Sequence, residues 1–168
     1  MDTSKKNKET IVLGLGNTLR GDDGIGILMA AELEKKLHTD AKFVCTEEMG
    51  LGLLDFLAGY QEAVILDSIY TANHEAGTIH RLSLVDFPPH TNRSTHYAGL
   101  PEAAALANKL DIPFPEKVYI LGIEVQNPFD ITTSLSPDLQ QKLPQILSEL
   151  EEILERILSG KEYDKNHV

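Results

Sequence analysis

The stretch that decides the fold is IVLGLGNTLRGDDGIG, residues 11–26. Three apolar residues at 11–13 precede glycines at positions 14 and 16, which is typical of a buried strand that ends in a tight turn. Beyond this turn, apolar residues recur at three- and four-residue spacing, at Ile25, Leu28, Met29, Leu33 and Leu37. That period predicts an amphipathic helix over residues 23–37, directly after the strand and its glycine-rich turn.

The residues that follow predict a parallel sheet with helices on both faces. Short apolar runs at 42–46 and 63–66 predict two more strands, and leucines between 51 and 60 predict a helix that connects them. A strand–helix–strand–helix–strand series is the pattern of a parallel sheet. Residues 77–85 alternate less regularly and predict a strand at the edge of the sheet.

The C-terminal half continues the same alternation. Residues 97–110 predict a helix, residues 118–125 a strand, and residues 137–158 a long helix with Ser136 as N-cap. Pro144 is expected to kink this last helix near its start. The whole pattern predicts a single α/β/α domain over residues 1–160, followed by a polar tail over residues 161–168.

The composition limits the classes of binding partner and the cellular location that we expect for this protein. The 168 residues include 26 acidic and 15 basic side chains, for a net charge of −11, which disfavours nucleic acid and anionic membrane surfaces as partners. No apolar run reaches the ~18 residues of a membrane span. A single cysteine excludes an internal disulfide and fits a reducing compartment, so we expect a soluble, cytoplasmic protein.

The glycine-rich turn could bind a nucleotide, or it could simply cap the helix that follows it. A strand, a G-x-G turn and a helix can bind a pyrophosphate, with Glu47 or Glu48 on a ribose. Leu19 stands where that motif needs its third glycine, and Asp22 and Asp23 place negative charge where the anion would lie, so nucleotide binding is disfavoured. The simpler alternative is that one of the two aspartates caps the helix.

A metal site is the third interpretation of this turn. Asp67 ends an apolar strand, and if the first and third strands are neighbours, Asp23 and Asp67 both overhang the point where the strand order reverses. His96 precedes a predicted helix, where the neutral, metal-binding imidazole is favoured. These three side chains suit a divalent ion with open coordination positions. Asp67 could instead cap the N–H groups of Ser68 and Ile69.

Covalent catalysis is disfavoured, and most other histidines have no evident role. No serine has the strand-to-helix pattern of a nucleophile, and Cys45 is expected to be a buried small hydrophobe. We expect His38 and His74 to be solvated and His80 to lie in the edge strand.

Residues 11–26 closely resemble the N-terminal signature of the nickel–iron hydrogenase maturation proteases, endopeptidases that trim the C-terminus of the hydrogenase large subunit. The likeness continues through residues 63–69, 94–100, 118–124 and 135–137. It implies a three-layer α/β/α sandwich, phosphorylase/hydrolase-like, with a mixed, mostly parallel five-stranded sheet.

The resemblance also implies the site and its chemistry. By motif position the nickel ligands and catalytic residues are Asp23, Asp67 and His96, although some family members carry glutamate where this chain has Asp23. The nickel is supplied by the large-subunit precursor, and other divalent ions are expected to occupy the site in the isolated protein. Either nickel polarises the scissile carbonyl or a carboxylate activates water, as in aspartyl proteases. The alternative is a non-catalytic module that binds nickel or the precursor.

Overall fold

A computed structural model describes residues 9–86 and 99–161, and within them five strands form one sheet in the order β2-β1-β3-β5-β4. The strands are β1 (Thr10–Leu15), β2 (Lys42–Thr46), β3 (Glu62–Ile69), β4 (Ile79–Ser83) and β5 (Lys117–Glu124). All pairs are parallel except β4 with β5, which is antiparallel. The predicted mixed, mostly parallel sheet and its β4 edge strand are therefore confirmed.

Helices cover both faces of the sheet. They are α1 (Ile25–Lys36), α2 (Leu54–Leu57), α3 (Leu100–Lys109) and α4 (Pro137–Leu158). Helices α1 and α4 pack on the face that carries Val12, Leu66 and Ile123. Helices α2 and α3 cover the opposite face, which carries Leu13 and Ile65. Because β1 and β3 are buried along their whole length, their sequences are nearly continuous apolar runs.

Several predicted boundaries are wrong near glycines. A 3₁₀ turn, Gly21–Gly24, precedes α1, so the helix begins at Ile25 and not at residue 23. The helix predicted over 51–60 is a 3₁₀ turn, Gly50–Leu53, followed by one α-helical turn. Gly59 lies just beyond that turn with φ +89°, a left-handed conformation that ends a helix.

The other boundaries agree more closely. Strand β3 runs two residues beyond Asp67, and α4 begins at Pro137 as expected and continues through Pro144. The described part of α3 begins at Leu100, and residues 97–98 lie outside the described chain, as do 162–168 of the predicted tail. The division into a domain over 1–160 and a tail over 161–168 stays a prediction. No described helix has the length and apolar character needed to span a membrane.

Helix α1 begins in direct contact with the sheet backbone. A Cβ placed on Gly26 would lie 2.3 Å from the carbonyl oxygen of Leu15 and 2.4 Å from that of Leu66. One turn later, the backbone of α1 passes β1 so closely that a Cβ on Gly14 would lie 2.6 Å from Cβ of Ala30. The missing side chains therefore let the N-terminus of α1 lie over the ends of β1 and β3.

We predict that Gly26→Ala destabilises the fold by about 1–3 kcal/mol in urea unfolding, because backbone oxygens cannot move away from the new methyl group. The sign is informative, since alanine in a helix is otherwise favoured over glycine by about 1 kcal/mol. Gly52→Ala is the matched control, because the nearest atoms to its Cβ would belong to the flexible side chain of Glu48. Equal stability of the two variants would contradict the proposed close contact.

Candidate functional site

The sheet has a topological switch point between β1 and β3. From β1 the chain passes through α1 to β2 on one side, whereas β3 pairs on its other side with β5. The crevice at the carboxyl ends of two such strands is where sites form in open α/β sheets. Strands β1 and β3 are neighbours, which is the condition under which Asp23 and Asp67 were expected to overhang the same crevice.

Asp23 and Asp67 are both hydrogen-bonded to Ser68, Asp23 through the Ser68 side chain and Asp67 through its backbone. The Ser68 hydroxyl donates to Asp23 Oδ1 over 2.7 Å, and the Ser68 backbone N–H donates to Asp67 Oδ1 over 2.8 Å. All three residues are buried. The capping interaction expected of Asp67 towards Ser68 is thus present, but it is made within β3 and coexists with the contact to Asp23.

Neither aspartate of the 3₁₀ turn caps α1, so that interpretation is wrong. The N-cap of α1 is Gly24, which has no side chain to offer. Asp22 Oδ1 instead accepts a hydrogen bond of 2.6 Å from the backbone N–H of Ser136, 114 residues away at the start of α4. Asp22 therefore fastens the N-terminus of α4 to the turn, while Asp23 faces Ser68.

The turn at residues 17–24 is held on both sides. The Gly21 N–H donates to the Thr132 carbonyl over 2.6 Å, and the Thr132 N–H donates to the Leu19 carbonyl over 3.1 Å. The Thr18 N–H and hydroxyl both donate to Glu47 Oε1, over 3.0 and 2.9 Å. Glu47, a candidate ribose ligand in the nucleotide interpretation, is therefore a structural acceptor for the turn.

His96 lies outside the described residues, so its distance to the two aspartates stays a prediction. The described chain resumes at Gly99, where a Cβ would lie 3.0 Å from the Cα of Gly50. Gly99 therefore lies on the side of the sheet that α2 and α3 cover. Asp67 projects from the same face, because it follows Ile65 by two residues in β3.

Sequence reasoning missed a buried carboxylate, Glu124, at the end of β5. It is fully buried, and its Oε2 lies 2.8 Å from Nε2 of His80 in β4. The signal that identified Asp67, an acidic residue at the end of an apolar strand, was present here as well. His74, expected to be merely solvated, lies edge-on to the His80 ring with centroids 4.7 Å apart.

Cys45 is exposed, contrary to expectation, because β2 is an edge strand. Its thiol donates to the Ile27 carbonyl over 3.5 Å. Partial burial of the thiol, and to a lesser extent the charge of Glu34, raise the pKa of Cys45 above its usual value. A thiol that stays protonated at neutral pH is a poor nucleophile, which agrees with the expectation that covalent catalysis is disfavoured.

Comparisons with known proteins agree on one family. A sequence model of the family described as hydrogenase maturation protease matches residues 27–153. The hydrogenase 2 maturation protease of Escherichia coli (strain K12) is 27% identical over an alignment of 149 residues, which covers 84% of this chain and 90% of that protein.

Solved structures show the same fold. The hydrogenase maturating endopeptidase HybD from E. coli aligns with a TM-score of 0.73 at 23% identity, over 90% of this chain and 94% of that one. The [NiFe] hydrogenase maturation protease HybD from Thermococcus kodakarensis aligns with a TM-score of 0.65 at 22% identity, over 86% and 97% of the two chains.

We predict that Ser68→Ala lowers the free energy of unfolding by about 1–3 kcal/mol, because it removes a hydrogen bond from a buried carboxylate. Ser159→Ala is the matched control, since it removes a hydroxyl that donates to a carbonyl at the exposed end of α4. Urea unfolding of both variants is the measurement. A Ser68→Ala protein no less stable than Ser159→Ala would show that the contact with Asp23 contributes nothing to the fold.

Proposed function

This chain belongs to the hydrogenase maturation protease family, and we propose that it is the endopeptidase that removes the C-terminal peptide of a nickel-loaded hydrogenase large-subunit precursor. The nickel of the precursor is the element that the enzyme recognises. The observation that carries the proposal is that Asp23 and Asp67 are both buried and both hydrogen-bonded to Ser68 at the switch point of the sheet. Cleavage would then report that the precursor has received its metal.

The proposed ligands for the precursor's nickel are Asp23, Asp67 and His96. Two carboxylates and an imidazole form an oxygen and nitrogen donor set that suits Ni²⁺. Three ligands leave coordination positions for the groups of the precursor that already hold the ion. Burial of Asp23 and Asp67 supports this assignment, because two carboxylates in a medium of low dielectric attract a divalent cation strongly.

Each part of the proposed reaction is assigned to particular residues of the chain or to the precursor's nickel. Ser68 holds one oxygen of each carboxylate, so both are oriented before the precursor binds. Asp23 and Asp67 supply the base that takes a proton from the attacking water. The precursor's nickel, when bound, supplies Lewis acidity at the scissile carbonyl. Preorganised carboxylates of this kind lower the barrier because they need no rearrangement during the reaction.

Exposed apolar side chains beside the site are proposed as the docking surface for the precursor. This apolar rim consists of Leu19, Tyr70, Phe129 and Ile131. Tyr70 directly follows β3, and its ring contacts that of Phe129 edge-on at 6.5 Å. Leu19 and Ile131 are joined through the backbone pairing of Thr132 with the site turn. Clustered exposed apolar residues at the border of a site are typical of a protein-binding surface.

We predict that His96→Ala and Asp67→Asn each slow release of the C-terminal peptide by about 100-fold or more, because each removes a ligand and a catalytic group. Incubation with nickel-loaded precursor, followed by mass measurement of the products, is the assay. His38→Ala is the control, since His38 is exposed and follows α1 far from the site.

Two results would contradict this assignment. Cleavage at the normal rate by folded His96→Ala and Asp67→Asn proteins would remove these residues from the mechanism. A wild-type protein that binds the loaded precursor but never cleaves it would instead be the non-catalytic binding module.

We further predict that Ile131→Asp raises KM for the precursor about tenfold and leaves kcat unchanged, because it places a charge in the docking surface and not at the carboxylates. Val85→Asp is a closely matched control. Ile131 is 92% exposed and Val85 86% exposed, but Val85 follows the end of β4, which pairs with the start of β5 and therefore lies at the end of the sheet opposite to the site. Equal KM values for the two variants would exclude the apolar rim as the docking surface.

A further inference from the structure

His74, His80 and Glu124 form a second cluster of potential metal ligands. A ring nitrogen of each histidine and a carboxylate oxygen of Glu124 all lie within 4.8 Å of one another. His74 lies in the connection between β3 and β4, His80 is the second residue of β4, and Glu124 is the last residue of β5. The tertiary fold therefore assembles the cluster from three separate segments of the chain.

Thr71 orients the cluster. Its N–H donates to Glu124 Oε1 over 2.8 Å, and its hydroxyl donates to Glu124 Oε2 over 2.9 Å. The same hydroxyl lies 3.2 Å from Nδ1 of His74. Outer hydrogen bonds of this kind fix the orientation of metal ligands in proteins, and they are present here on both the carboxylate and one imidazole.

The cluster is separate from the Asp23–Asp67 site. Asp67 pairs in register with Gly122, and Gly122 pairs with His80, so two strand spacings, about 10 Å, separate Asp67 from His80. The side chain of Ile69 fills the space between them, because a Cβ on Gly122 would lie 3.1 Å from Cγ2 of Ile69. An ion bound by the cluster would therefore occupy a different site from an ion bound by Asp23 and Asp67.

We propose that His74, His80 and Glu124 bind a divalent transition-metal ion of the Zn²⁺ type. Two imidazoles and one carboxylate are a donor set of zinc sites that keep an open fourth position. An ion can reach the cluster from solvent through His74, which is exposed. Bound there, the ion ties the β3–β4 connection to β4 and β5.

The test is calorimetric titration of Zn²⁺ into His96→Ala protein, a background that removes a proposed ligand of the nickel site. We expect one Zn²⁺ per chain, with at least about tenfold weaker binding once His74→Ala is added. Adding His38→Ala instead is the matched control and leaves the affinity unchanged. Absence of binding to His96→Ala, or binding that His74→Ala does not weaken, overturns the inference without affecting the proposed protease function.

The Tm with and without Zn²⁺ is a second measurement, which also tests the site if a ligand variant is poorly folded. Zn²⁺ stabilises whatever folded state binds it, so it raises the Tm of the His96→Ala protein. We expect Thr71→Val, made in the same background, to weaken Zn²⁺ binding about 10- to 100-fold, since it removes the hydroxyl that orients Glu124 and His74. An equal rise in Tm with and without the His74 side chain would place the ion elsewhere and overturn the assignment.

Discussion

Gly26 lies against the carbonyl oxygens of Leu15 and Leu66, and the rest of the site depends on this close contact. It holds the first turn of α1 against the ends of β1 and β3, so the preceding 3₁₀ turn must fold back over the crevice. Gly16 makes this return possible, since a Cβ there would lie 2.2 Å from the Asp23 carbonyl oxygen. Between these two glycines, Asp23 has little choice of position and reaches Ser68.

The same end of the sheet contains several buried carboxyl groups. Asp22, Asp23, Asp67 and Glu124 are all buried, in a chain whose net charge is already −11. Burying a carboxylate is costly unless hydrogen bonds replace its water, and here backbone N–H groups and hydroxyls of serine and threonine donate to at least one oxygen of each carboxylate. In all of these hydrogen bonds the carboxylate oxygens are acceptors, and acceptor oxygens are also what a cation site requires.

The buried carboxylates have different structural roles. Asp22 ties α4 to the site turn, whereas Asp23 and Asp67 share Ser68 at the switch point. Glu124 belongs to a neighbouring cluster that holds the β3–β4 connection. These hydrogen bonds hold the carboxylates in fixed orientations, which is what the proposed recognition of the precursor's nickel requires.

The sequence alone determined the alternation of strands and helices, because apolar periodicity and turn residues are local properties. It also predicted Asp23 and Asp67 as candidate site residues, because an acidic residue beside a buried strand or helix is unusual. It could not give the length of α2, which left-handed glycine geometry limits. Only the tertiary structure joined Asp22 to Ser136 and His80 to Glu124, 114 and 44 residues apart, because strand order and register decide which distant side chains meet.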